Sequence, residues 1–168
     1  MFDTTTCRDF HRKLKADSED FAKEQDSGRL ALNCIITAYH LHEWVWGDWL
    51  KTDYAAWKQL GIKDKDSFVA WIERECPAFT TVQDLANGAK HFIRKQEVET
   101  RRVAGYGMGP YGIGPFGASY LLIDYGADAG DERYKTAKDL IDAVADFWSA
   151  FFQRYLPGAG HRTGSDPF

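Results

Sequence analysis

The residues best equipped for chemistry lie on one predicted helix. Asp84, Asn87 and His91 recur at spacings of three and four, which puts a carboxylate, an amide and an imidazole within ~60° of one another on a helical projection. Lys90 and Arg94 flank them. An imidazole moves protons near neutrality, an amide orients a polar ligand, and a nearby cation stabilises developing negative charge. Asp84, Asn87, Lys90 and His91 are therefore the candidate catalytic set. The other side of this helix is apolar (Val82, Leu85, Ala86, Ala89, Phe92 and Ile93), so the competing reading is an ordinary solvated face on a core helix.

A second group is Tyr39-His-Leu-His-Glu-Trp44. His42 projects onto the apolar arc of its helix, whereas His40 shares the far side with Asn33, Thr37 and Glu43. His42 reads either as a buried, hydrogen-bonded histidine or as a support beside His91 or Asp84 that fixes a tautomer. His40, Glu43 and His91 could form a metal set, but neither H-x-x-x-H nor E-x-x-H occurs. No metal site and no cofactor is expected. Cys7, Cys34 and Cys76 are 27 and 42 positions apart with no CxxC among them. They read as buried thiols in a reducing compartment.

The third group is a glycine loop, 105–117, which holds six of the chain's 15 glycines. It is a near repeat of period five: Tyr106-Gly-Met-Gly-Pro, Tyr111-Gly-Ile-Gly-Pro, then Phe116-Gly. G-x-G-x-x-G occurs twice in it, but a dinucleotide fingerprint leads from a strand into a helix, and here a second strand follows. No Walker lysine and no kinase signature accompany it. The repeat alone accounts for both matches. Tyr106, Tyr111 and Phe116 share one position of the repeat and are the candidate contact residues; a simple insertion is the alternative.

These groups need elements to hold them. Helices are predicted from Thr6 through Phe21, over about 29–49 as the central helix, over 53–60 up to Gly61, from Asp66-Ser67 to before Pro77, from Thr80-Thr81 onward, and from Thr136 to Pro157. Trp44 and Trp46 project ~160° apart, which predicts a second surface for one of them. Segments 98–103 and 119–125 are β-prone and would flank the loop as a hairpin. The expected fold is mainly α, a bundle of four to six helices with a small β-hairpin insertion (98–125), all within a single domain 1–168 and with a loose tail at 158–168. The chain has 168 residues, 21 Lys+Arg against 25 Asp+Glu, and 6 Trp, 8 Tyr and 11 Phe. Net charge is −4, which disfavours non-specific DNA binding. No apolar run suits a membrane span or a signal peptide, so a cytoplasmic protein is expected.

The stretch Asp84-Leu-Ala-Asn-Gly-Ala-Lys-His91 resembles the signature helix of the HEPN superfamily of helical bundles, many of whose members cleave RNA. That motif is an arginine, commonly followed by a polar residue such as asparagine, with a histidine a few positions on. Asn87 and His91 match the last two, and Ala86 stands in place of the arginine. The resemblance implies a helical bundle whose His91 would act as general acid or base on RNA, with a site often completed across a homodimer. The departure at Ala86 and the acidic balance favour a non-catalytic interaction protein of bacterial or mobile-element origin, with a protein partner or a second copy. The alternative is a metal-independent ribonuclease or nucleotide-acting enzyme using His91.

Overall fold

A computed structural model describes residues 4–91, 98–105 and 107–156, with the backbone alone for 89–91. The fold is mainly α with a β insertion, as the sequence predicts. Its helices are α1 (Cys7–Lys23), α2 (Gly28–Asp48), α3 (Tyr54–Leu60), α4 (Lys65–Glu75), α5 (Ala78–His91) and α6 (Ala137–Tyr155). Between α5 and α6 lie β1 (Glu99–Val103), β2 (Tyr120–Asp124) and β3 (Tyr134–Thr136).

Local chemistry sets the helix ends. Thr6 and Asp9 form a reciprocal capping box on α1, and Thr136 and Asp139 form another on α6. Asp48, at the end of α2, accepts a further first-turn N–H from Cys7 at 2.9 Å, so one helix end neutralises another. Gly61 ends α3 in the left-handed conformation, φ 69°. Two predicted starts are corrected. Asp64, not Asp66, caps α4, with Ser67 closing the box. Helix α5 begins at Ala78, two residues before Thr80. Pro77 fits a helix entry, where its missing N–H costs nothing, and Phe79 N–H bonds to the Cys76 carbonyl at 2.9 Å. This start also places Phe79, Val82 and Ala86 together in the core.

Helix α2 is the hub, touching α1, α5 and α6. Its buried arc of Ala31, Cys34, Ile35, Ala38, Leu41 and Val45 meets Leu14 and Phe21 of α1 and Val144 and Trp148 of α6 in one core. The Trp148 indole N–H donates to the Ala38 carbonyl at 3.2 Å, tying α6 to the middle of α2. Polar contacts cross the α1–α2 seam as well: the Lys13 ammonium donates to Thr37 Oγ1, whose hydroxyl donates to Asp17, both at 2.8 Å. Trp44 stacks on Phe10 of α1 at 4.8 Å, and Trp46 stacks on Trp57 of α3 at 5.5 Å. The two tryptophans diverge as predicted, each stacks on a neighbouring helix, and both stay partly exposed.

Among the described residues the β insertion has three strands, not two. They form an antiparallel meander in the order β1-β2-β3. Arg101 pairs with Leu122, and Ile123 pairs with Lys135. Strand β3 is too short to show alternation in the sequence, and its last residue, Thr136, is also the cap of α6. Central strand β2 is covered on both faces. Leu121 and Ile123 meet the helical core, while Tyr120 and Leu122 join Val103 in a small second core with Ile113 and Tyr134 against it.

Candidate functional site

The polar ridge of α5 is divided by its surroundings. Asp84 is half-buried on the wall of a cavity, whereas Asn87, ~60° round the helix, is exposed to solvent. The backbone of α5 extends through Lys90 and His91, whose side chains lie outside the described residues. The candidate set is thus held on one helix, but the two described members face different surroundings. Asp84 is the described member of the ridge that is only partly solvated.

His42 takes a core role. It is buried, and its Nδ1–H donates to the Tyr39 carbonyl one turn back. A carbonyl can only accept, so this bond fixes the tautomer. The ring lies 4.9 Å from Tyr39 and edge-on to Phe79 at 5.7 Å. Burial pushes its pKa below the ordinary histidine value, more than the Tyr39 contact raises it. Phe79 precedes position 91 by twelve residues, roughly 18 Å along the helix axis. His42 helps to seal α2 against the start of α5, far along the helix from the backbone of position 91. His40 pairs with Glu43 at 2.9 Å, and Glu43 also accepts from Lys65 at 3.1 Å. This is a surface charge cluster, and no metal-holding group of three occurs among the described residues.

The glycine loop has an ordered frame. Tyr120, which opens β2, is only 3% exposed, and its hydroxyl donates to the Ile113 carbonyl at 2.8 Å. A Cβ built on Gly109 would lie 2.1 Å from the Tyr120 hydroxyl oxygen, and one on Gly114 would lie 2.5 Å from ring carbon Cζ. Gly109 and Gly114 are equivalent positions of the five-residue repeat. The repeat thus has a structural meaning: each unit lays a glycine against the same tyrosine ring. The preceding glycine of each unit, Gly107 or Gly112, adopts φ 68° or 77°, a turn that L-residues resist. With the backbone turned inward onto Tyr120, large apolar side chains point outward. Met108 is 67% exposed, Phe116 84% and Tyr111 fully exposed. Tyr106 lies outside the described residues.

The cavity beside Asp84, about 330 Å³, lies between α2, α5 and the sheet. Ala31, Leu32, Ile35, Leu85, Leu121 and Ile123 are among its apolar lining residues. Oδ2 of Asp84 is buried without a hydrogen-bond partner. Sequence reading missed this cavity because its walls come from five separate segments. It missed the tyrosine seat too, although the period of five followed by a tyrosine at a strand start was a readable signal. No helix among the described residues is long and apolar enough to cross a membrane. No protein-family model, curated protein or solved structure matches the chain.

Proposed function

We propose that the protein is a non-catalytic interaction protein whose contact element is the aromatic glycine loop. One observation carries this reading: the loop spends its glycines on seating the backbone against Tyr120, yet it turns Met108, Tyr111 and Phe116 into solvent. Nothing in folding rewards such exposure, whereas a partner surface would, because aromatic anchors contribute about 2 kcal/mol or more each when buried at an interface. The HEPN-like resemblance enters as a scaffold in this proposal. Ala86 occupies the arginine's place and is itself buried in the helical core, so that position offers no cation to a reacting phosphate. The partner is another protein or a second copy of the chain.

The test compares the wild type with Met108→Ser/Tyr111→Ser/Phe116→Ser. Self-association is read by sedimentation, and partner capture by quantitative mass spectrometry. The variant should keep the wild-type circular dichroism and melting temperature, since exposed positions contribute little to stability. Association should fall at least tenfold. If every association of the wild type survives the triple substitution, the loop is not the contact element and the reading falls.

A further inference from the structure

The cavity beside Asp84 is unrelated to the loop, and its chemistry specifies a ligand. Its walls are mostly apolar, which suits an occupant with an apolar body. Four polar residues interrupt them: Asp84, Thr100, Arg101 and Arg102. Their charges are not equivalent. Arg102 donates to Asp26 from Nε at 2.9 Å and again from a terminal nitrogen, so its charge is already met. Arg101 pairs with Leu122, placing its side chain on the sheet face of the second core, where it lies within electrostatic range of Asp124. Oδ2 of Asp84 is shut off from solvent and has no hydrogen-bond partner among the described residues. A carboxylate oxygen unpartnered beside such a cavity is one whose hydrogen bond a ligand can complete. The broad terminal torsion of an aspartate lets that oxygen turn toward the space.

We infer that this cavity binds a small molecule with an apolar body and a protonated amine, the amine pairing with Asp84 and the body lying between α2 and β2. An anionic ligand is disfavoured by Asp84 itself, and a neutral one leaves the carboxylate without a charged partner. Gly28, on the cavity wall at the start of α2, gives a way to close the site without disturbing Asp84. A Cβ there meets nothing within 4 Å, and its backbone is helical, so Gly28→Leu can fill space without straining the chain.

The experiment titrates ¹⁵N-labelled protein at neutral pH with phenethylamine, phenethyl alcohol and hydrocinnamate, following the amides of Gly28, Ala31 and Leu121. Phenethylamine should shift these amides and bind at least tenfold more tightly than the alcohol, and hydrocinnamate should leave them unmoved. Asp84→Asn should erase the preference for amine over alcohol while preserving the spectrum elsewhere. Gly28→Leu should abolish binding of both with Asp84 intact. Equal binding of amine and alcohol, an unchanged preference in Asp84→Asn, or no shift with phenethylamine would each overturn the proposal. The loop variant Met108→Ser/Tyr111→Ser/Phe116→Ser should bind phenethylamine as the wild type does, so this result stands apart from that of the contact loop.

Discussion

Three glycines of the loop allow its seat on Tyr120 to be measured one contribution at a time. Gly112 has φ 77° with open space where a Cβ would go, so Gly112→Ala introduces backbone strain alone, about 1–2 kcal/mol. Gly109 is outside the left-handed region, but its Cβ would lie 2.1 Å from the Tyr120 hydroxyl oxygen. Gly109→Ala therefore introduces the clash alone. Gly114 combines φ 79° with ring atoms at 2.5, 2.7 and 2.8 Å, so Gly114→Ala carries both. The clash is capped by an escape route, because the loop can lift off the ring. Lifting forfeits the hydrogen bond from Tyr120 to Ile113, about 0.5–1.5 kcal/mol, and exposes part of a buried ring, which together amount to ~1–3 kcal/mol. Urea denaturation should then show a loss of about 1–2 kcal/mol for Gly112→Ala, ~1–3 kcal/mol for Gly109→Ala, and near the sum of the two for Gly114→Ala. Tyr120 ring resonances should move in Gly109→Ala and Gly114→Ala and stay in place in Gly112→Ala. If all three variants lose the same stability within about 0.5 kcal/mol, the loop is not seated on Tyr120.

Acid should loosen the helical core before carboxylates are titrated. His11 stacks on Phe152 at 4.5 Å and meets Ser149 at 3.2 Å; burial holds its pKa down from 6.5 to about 4. Its neutral form is thus favoured by folding, and that stability is intact above pH 6.5 and lost as pH falls toward 4. The loss is on the order of 1–2 kcal/mol near the middle of this window, after allowance for partial exposure. His11→Phe should flatten the dependence of urea midpoint on pH, and an unchanged slope would show that another group governs it. Trp148→Phe should cost about 2–3 kcal/mol in the same assay, from the space left in a fully buried position and the lost bond to Ala38; a cost under ~1 kcal/mol would mean that α6 is not fixed to α2 there. Labelled total RNA should remain intact with the wild-type protein, with or without EDTA. Cleavage that survives EDTA and disappears in His91→Ala would replace the interaction reading with a ribonuclease one.

The helical frame was legible because its signals are local and repeated. Thr6 with Asp9 and Thr136 with Asp139 announce helix starts, and α2 shows its central place by being apolar over so wide an arc. Where two local signals compete, the sequence alone does not choose. Asp64 and Asp66 are both sound caps, and Asp64 is used because Ser67 is then at the third helical position and returns the bond. Thr80 with Gln83 looks like a capping box, but burying Phe79 beside Val82 requires an earlier start. The site was legible only in part for a related reason. Helical periodicity shows that Asp84 and Asn87 share a side, but what covers that side is decided elsewhere. Leu121 and Ile123 are more than thirty residues away in the chain, and they help to enclose the space beside Asp84 while Asn87 stays in water. His42 shows the opposite case: its place on the apolar arc already pointed to burial, and the bond to Tyr39 completes that account.

The loop and the cavity lie on opposite faces of one strand, and this geometry predicts how they combine. Tyr120 anchors the loop on one face of β2, and its neighbour Leu121 lines the cavity on the other. Their side chains project apart and join separate clusters, so a change to one need not strain the other. Both faces are buried, which fixes the register: a slip of one residue would put Tyr120 into the helical core and Leu121 under the loop. A strand pinned in this way is a rigid divider. Gly114→Ala perturbs one side of it and Gly28→Leu the other, and the Gly28 change should itself be mildly stabilising, by about 0.5–1 kcal/mol, through better helix propensity. The double variant should show the sum of the two single effects within ~0.5 kcal/mol. A larger coupling energy in that cycle would mean that the strand shifts as a unit, and that filling the cavity alters the surface the loop presents.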